Sequence, residues 1–150
     1  MSTNLDLVGY DSDNQLALVV EVKKKQNASL DWATQLRRNM LAHGTLPNTP
    51  FFLLALPDRF FLWKNGDKNH ETNNPAYTVD PKPVLKPYLE RAGVKAEQIS
   101  HQSLEIIIAA WLSELAQKEP NQLDASERWL VESGLYAALA GGRLEHEVIA

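Results

Sequence analysis

The stretch Leu16-Ala17-Leu18-Val19-Val20-Glu21-Val22-Lys23 constrains this chain most. It begins as an apolar run and ends in β-branched residues, as a strand buried on both faces would. Two charges then arrive two positions apart. Side chains alternate between the faces of a strand, so Glu21 and Lys23 share one face and Val20 and Val22 the other. A charged pair at the end of such a strand is costly unless solvent, a metal or a partner receives it.

The residues before it supply a pairing strand. Residues 4–10 begin with alternating apolar positions, and Asp11-Ser12-Asp13-Asn14 is a cluster of turn formers. The pattern predicts a hairpin in which Asp6 and Glu21, similarly far from the turn, stand roughly opposite each other. Two carboxylates and one ammonium then converge at one end of a sheet. Such a set can hold a divalent metal, which polarises a phosphoryl oxygen and lowers the pKa of water. The backbone carbonyl of Val22 is a further candidate ligand. Lys23 is placed to orient the water and to meet developing charge. Asp11 rivals Asp6, but a turn role explains Asp11 better.

Downstream, Ser29 or Asp31 can cap a helix running to about Ala42 and stopped by His43-Gly44. Phe51–Leu56 reads as a buried strand, Pro57-Asp58-Arg59 as a tight turn, and Phe60–Trp63 as its antiparallel partner, ended by Asn65-Gly66-Asp67. Residues 64–76 are polar and turn-rich, hence an exposed loop. A short helix is expected around Val84–Ala92. A strongly amphipathic one is expected from Ser103 to Lys118, with Leu104, Ile107, Ile108, Trp111, Leu112 and Leu115 on one face. Asp124 and Glu127 resemble a capping box opening a last helix through about Ala140, which Gly141-Gly142 ends. The class is therefore α/β: a mixed β-sheet flanked by helices, with a helical C-terminal part.

Composition narrows the chemistry. The chain has 150 residues, 44% of them hydrophobic, enough for one domain with a real core. It has no apolar run long enough to span a membrane, and its first residues do not read as a signal peptide, so a cytoplasmic protein is expected. There is no cysteine, so thiolate sites, disulfides and cysteine nucleophiles are excluded. Any metal must be held by oxygen or imidazole, which favours Mg2+ or Mn2+. His43, His70, His101 and His146 are scattered without ligand spacing, which argues against zinc. The net charge of −4 counts mildly against a nucleic-acid partner, although an active site for phosphodiester cleavage is itself acidic.

Asp6-Leu7-Val8-Gly9-Tyr10, a polar turn, and Leu18-Val19-Val20-Glu21-Val22-Lys23 together resemble the PD-(D/E)XK (restriction-endonuclease-like) nuclease motif, closest to the nuclease domain of type I restriction motor subunits. The resemblance spans roughly residues 4–64, leaving 81–150 as a mostly helical extension of the same domain. It implies a restriction-endonuclease-like sheet, Asp6 and Glu21 as metal ligands, Lys23 as the catalytic lysine, and Gln35, on the following helix, as a supporting polar residue. Leu5 stands where the signature proline usually sits. In the family a helix and a strand precede the aspartate, and that helix often brings another acid. Only five residues precede Asp6 here. The expectation is that the chain is truncated, that its gene start is misassigned, or that the C-terminal helices or a second chain replace the missing packing.

The expected function is a Mg2+-dependent nuclease acting on DNA. The alternative is a catalytically degenerate module that binds nucleic acid or protein, such as an accessory subunit of a restriction or mobile-element system. Lys24, Lys25, Arg37 and Arg38 are candidate DNA-backbone contacts, against the plainer reading of a solvated loop start and an exposed helix face. Gln35 is equally well read as a surface residue. Trp111, Trp129, Leu130 and Leu135 exceed what a small sheet obviously covers, so a homodimer through the C-terminal helices is expected.

Overall fold

A computed structural model of the chain describes residues 6–64 and 74–146. Among the described residues, six strands form one mixed sheet: β1 (Leu7–Tyr10), β2 (Leu16–Val22), β3 (Phe51–Ala55), β4 (Phe60–Lys64), β5 (Tyr77–Val79) and β6 (Arg143–His146). Their spatial order is β5-β4-β3-β2-β1-β6. β2 and β3 run parallel, and the other neighbours are antiparallel. The helix α1 (Leu30–Ala42) makes the crossover between the parallel pair. The described residues form four more α-helices: α2 (Lys82–Ala92), α3 (His101–Gln117), α4 (Arg128–Ser133) and α5 (Leu135–Leu139).

The alternation of each strand sorts the core into two layers. Val8, Val19, Phe52, Leu54, Phe61 and Trp63 face α1. Leu7, Leu18, Val20, Val22, Leu53 and Phe60 face the C-terminal helices. The predicted stripe of α3 is buried in that second layer. Burying each such side chain contributes roughly 1.5–3 kcal/mol. Phe60, Trp111 and Trp129 form an aromatic cluster with centroids 5.4 to 6.4 Å apart. Trp111, Trp129, Leu130 and Leu135, expected as a surplus apolar surface, are covered within the chain. The exposed large apolar side chains of the C-terminal helices are Ile106 and Val131.

The hairpin, the crossover helix and the strand pair 51–64 form where the pattern places them. Ser29, rather than Asp31, caps α1, its hydroxyl accepting from the Trp32 N–H at 3.0 Å. Asp11 serves the turn: its Oδ1 accepts from the N–H groups of Asp13 and Gln15, each at 2.9 Å.

Three expectations change. The last helix is not continuous. It is a 3₁₀ turn at Ala125–Glu127 followed by α4 and α5, broken at Gly134, whose φ of 92° puts it in the left-handed region. Glu127 closes no capping box, because its buried carboxylate is paired with Lys118 Nζ at 3.1 Å. Finally, β5 and β6 were not legible as strands: one has three residues, and the other, Arg-Leu-Glu-His, is too polar to show a core face. The loop expected at 64–76 falls largely on residues outside those described, as do Asn65-Gly66-Asp67 and His70. No helix among the described residues is long and apolar enough to cross a membrane.

Candidate metal centre

The end of the sheet where β1 begins and β2 finishes collects the charged groups. The register Leu7↔Val20 sets Asp6 beside the last residues of β2. Asp6 Oδ2 accepts the Val22 N–H at 2.7 Å, so the backbone of one strand fixes the carboxylate of the next. Glu21 comes up from β2 with 6% of its surface exposed and touches Asp6. Lys23 follows, half-buried. Its N–H donates to the Ala55 carbonyl at 3.1 Å, which ties the exit of β2 to β3.

Two further groups arrive from a part of the chain that the motif does not cover. Helix α3, capped by Ser100, runs past this end of the sheet. His101 and Glu105 lie four residues apart on α3 and therefore share a face. Glu105 reaches Asp6. His101 Nε2 stands 2.9 Å from the Val22 carbonyl oxygen and 3.7 Å from Asp6 Oδ2. His146, in β6, holds Glu105 Oε2 at 3.0 Å through Nδ1.

Three carboxyl groups in contact cannot all stay ionised. Burial, then the hydrogen bond and charge of Asp6, push Glu21 up to about 9, with Lys23 pulling the other way. Burial and Asp6 also raise Glu105. Burial works against ionising Asp6, but hydrogen bonds from Glu21, the Val22 N–H and Glu105, helped by His101, outweigh it and hold Asp6 below its ordinary value. Asp6 is thus the most acidic carboxyl of the cluster, and Glu21 and Glu105 hold their protons more tightly than free acids do. A cation can take over the role of those protons.

Three of these groups could hold a small divalent ion. Asp6, His101 and Glu105 each offer an atom, all within 4.8 Å of one another. The Val22 carbonyl borders them through His101, while Glu21 stands outside this group and touches it through Asp6. Donors on adjacent corners around an ion held at roughly 2.0–2.2 Å lie roughly 3 Å apart, close to the His101–Val22 separation. The oxygens among these groups are the donors that Mg2+ and Mn2+ take, and the imidazole nitrogen is one that transition-series ions accept.

The structure thus brings together Asp6, Glu21, Lys23 and the Val22 carbonyl. Gln35 does not join them. It is exposed on α1, and its side-chain amide donates to Asn39 Oδ1 one turn on, at 3.0 Å. Among the described residues no hydrogen bond joins it to Asp6, Glu21 or Lys23. Lys24 and Lys25 are exposed beside the end of β2, with Lys25 Nζ lying 5.2 Å from the Trp32 ring. Arg38 is exposed, whereas Arg37 is half-buried, its guanidinium 5.5 Å from the Trp63 ring. Arg37 therefore departs from the exposed-face reading.

Sequence reasoning missed Glu105, His101 and His146. One signal pointed to the first two, a histidine and an acid at i, i+4 flanking the apolar stripe of a predicted helix, and none to His146. That spacing is common on solvated helix faces, and only the sheet end opposite it makes it meaningful. Comparison with protein-family models, with curated proteins and with solved structures found no match.

Proposed function

We propose that this chain is a divalent-metal-dependent nuclease of the PD-(D/E)XK type that hydrolyses DNA phosphodiester bonds. The observation that carries the reading is the convergence of Asp6, Glu21 and Lys23 with a third acid, Glu105, from a helix outside the motif. The resembled pattern has a strand beside the aspartate-bearing strand and a helix that brings an acid to the site. Here β6 pairs antiparallel to β1, and α3 contributes Glu105. The site is thus supported by elements that come after the motif in the chain.

Asp6, Glu105, His101 and the Val22 carbonyl would hold the cation, with Glu21 closing the site from β2. A divalent cation bound there would offset negative charge on a phosphoryl group and acidify a water molecule. The chain's own groups do the rest. The Val22 N–H keeps Asp6 oriented. Lys23, beside Glu21, positions the attacking water and meets the charge that builds on the phosphoryl oxygens. The exposed Lys24 and Lys25 flank the site, where a phosphate backbone would pass.

The test is cleavage of supercoiled and linear DNA in Mg2+ or Mn2+ by the wild type and by Glu21→Ala and Lys23→Ala variants. The expected result is cleavage by the wild type and a loss of at least a hundredfold in both variants, with circular dichroism unchanged. Undiminished cleavage by Glu21→Ala would sink the assignment. DNA binding without cleavage by the wild type would favour a non-catalytic binding module.

A further inference from the structure

The geometry points to His101 as a nitrogen ligand that makes this a mixed imidazole–carboxylate centre, selective for a transition-series divalent ion such as Mn2+ over Mg2+. The inference rests on the proposed metal site and deepens it by naming the ion it prefers. Four observations carry it.

First, His101 stands in the first turn of α3, one turn before Glu105, so a single helix delivers both a nitrogen and an oxygen donor to Asp6. Second, Nε2 is the ring atom that faces the cluster, 3.7 Å from Asp6 Oδ2 and 2.9 Å from the Val22 carbonyl. Two atoms that close are either hydrogen-bonded or adjacent donors to one ion. Without an ion, Nε2–H donates to Val22. With the proton on Nδ1 instead, the Nε2 lone pair and the carbonyl oxygen address the same point.

Third, the ring can move into place. Its side chain is 47% exposed, so a small rotation meets solvent rather than packed core. Fourth, Glu105 is already held from behind by His146 at 3.0 Å, the arrangement that fixes a ligating carboxylate. Mg2+ takes oxygen donors and retains water, whereas the first-row transition ions accept imidazole, Mn2+ the least strongly of them and the one that most readily keeps carboxylate partners as well. A nitrogen in the donor set therefore shifts preference away from Mg2+.

The test is calorimetric titration of Mn2+ and of Mg2+ into the full chain and into His101→Ala, together with pulsed electron paramagnetic resonance of bound Mn2+. We expect the wild type to bind Mn2+ at least tenfold more tightly than Mg2+ and to show coupling of the ion to a ring nitrogen. In His101→Ala the nitrogen coupling disappears and the preference falls below about threefold. Because the coupling is read on the wild type, the test stands even if the variant folds poorly. Binding of both ions without nitrogen coupling, or an unchanged preference in folded His101→Ala, overturns the inference and leaves the metal site intact. Failure of the folded wild type to bind either ion overturns both.

Discussion

His146 in β6 and Glu105 in α3 meet at 3.0 Å, and this contact joins the edge strand beside β1 to the helix that completes the acidic cluster. Because Glu105 itself reaches Asp6 at the start of β1, one line of polar contacts runs from the C-terminal strand to the aspartate of the motif. Perturbing either end should be felt at the site.

His146→Ala should therefore weaken Mn2+ binding by roughly 10–100-fold, the usual cost of removing a group that orients a ligand. Its ring is half exposed, so the fold should survive. Calorimetry with circular dichroism checks both points. Unchanged affinity would mean that Glu105 is held well enough by α3 alone.

The raised pKa of Glu21 sets a pH dependence of stability in the metal-free chain. A carboxyl near 9 when folded, against an ordinary value of 4.5, binds an extra proton in the folded state between those limits. Stability from this group is present below about 4.5 and is lost as pH rises toward 9. Glu105, raised in the same direction, adds to the fall, while Asp6, lowered, acts only below its ordinary value of 3.8. Glu21→Gln should flatten the decline and be the more stable protein at pH 8. Denaturant midpoints measured from pH 5 to pH 9 read this directly, and a wild type whose stability rises across that range would contradict it.

Gly142 admits no side chain. A Cβ there would stand 1.8 Å from the Tyr10 carbonyl oxygen, and that atom belongs to the strand with which β6 pairs. Gly142→Ala must push β6 away from β1, at a cost of about 1–3 kcal/mol or more. A lowered melting temperature with faster hydrogen exchange in β6 is the expected outcome.

The layer between the sheet and the C-terminal helices should carry much of the stability. Ile108 is fully buried there, and Ile108→Ala should cost about 2–5 kcal/mol. Urea unfolding measures it, and a loss below 1 kcal/mol would show that this layer is loosely packed.

Gln35→Ala separates the resemblance from the geometry. With its amide bonded to Asn39 on the exposed side of α1, its removal should change cleavage and metal binding by less than about twofold, whereas Lys23→Ala should lower cleavage by at least about a hundredfold. A large effect of Gln35→Ala would show that the residue turns to the site when DNA is present.

The sequence by itself determined the central hairpin, the crossover helix and the meeting of Asp6 with Glu21 and Lys23. These are local consequences of alternation, turn chemistry and a short loop, whereas the register Leu7↔Val20 also needs a shift between Gly9 and Tyr10 that no local signal announces. Tertiary structure alone decided that His101, Glu105 and His146 join that set, that β6 lies beside β1, and that Gln35 stays outside. The reason is physical. A polar residue on a helix flank or in a short, hydrophilic strand has no periodicity to announce it. Its partners are chosen only when the apolar stripe of α3 docks on the sheet and carries its flank to the strand ends.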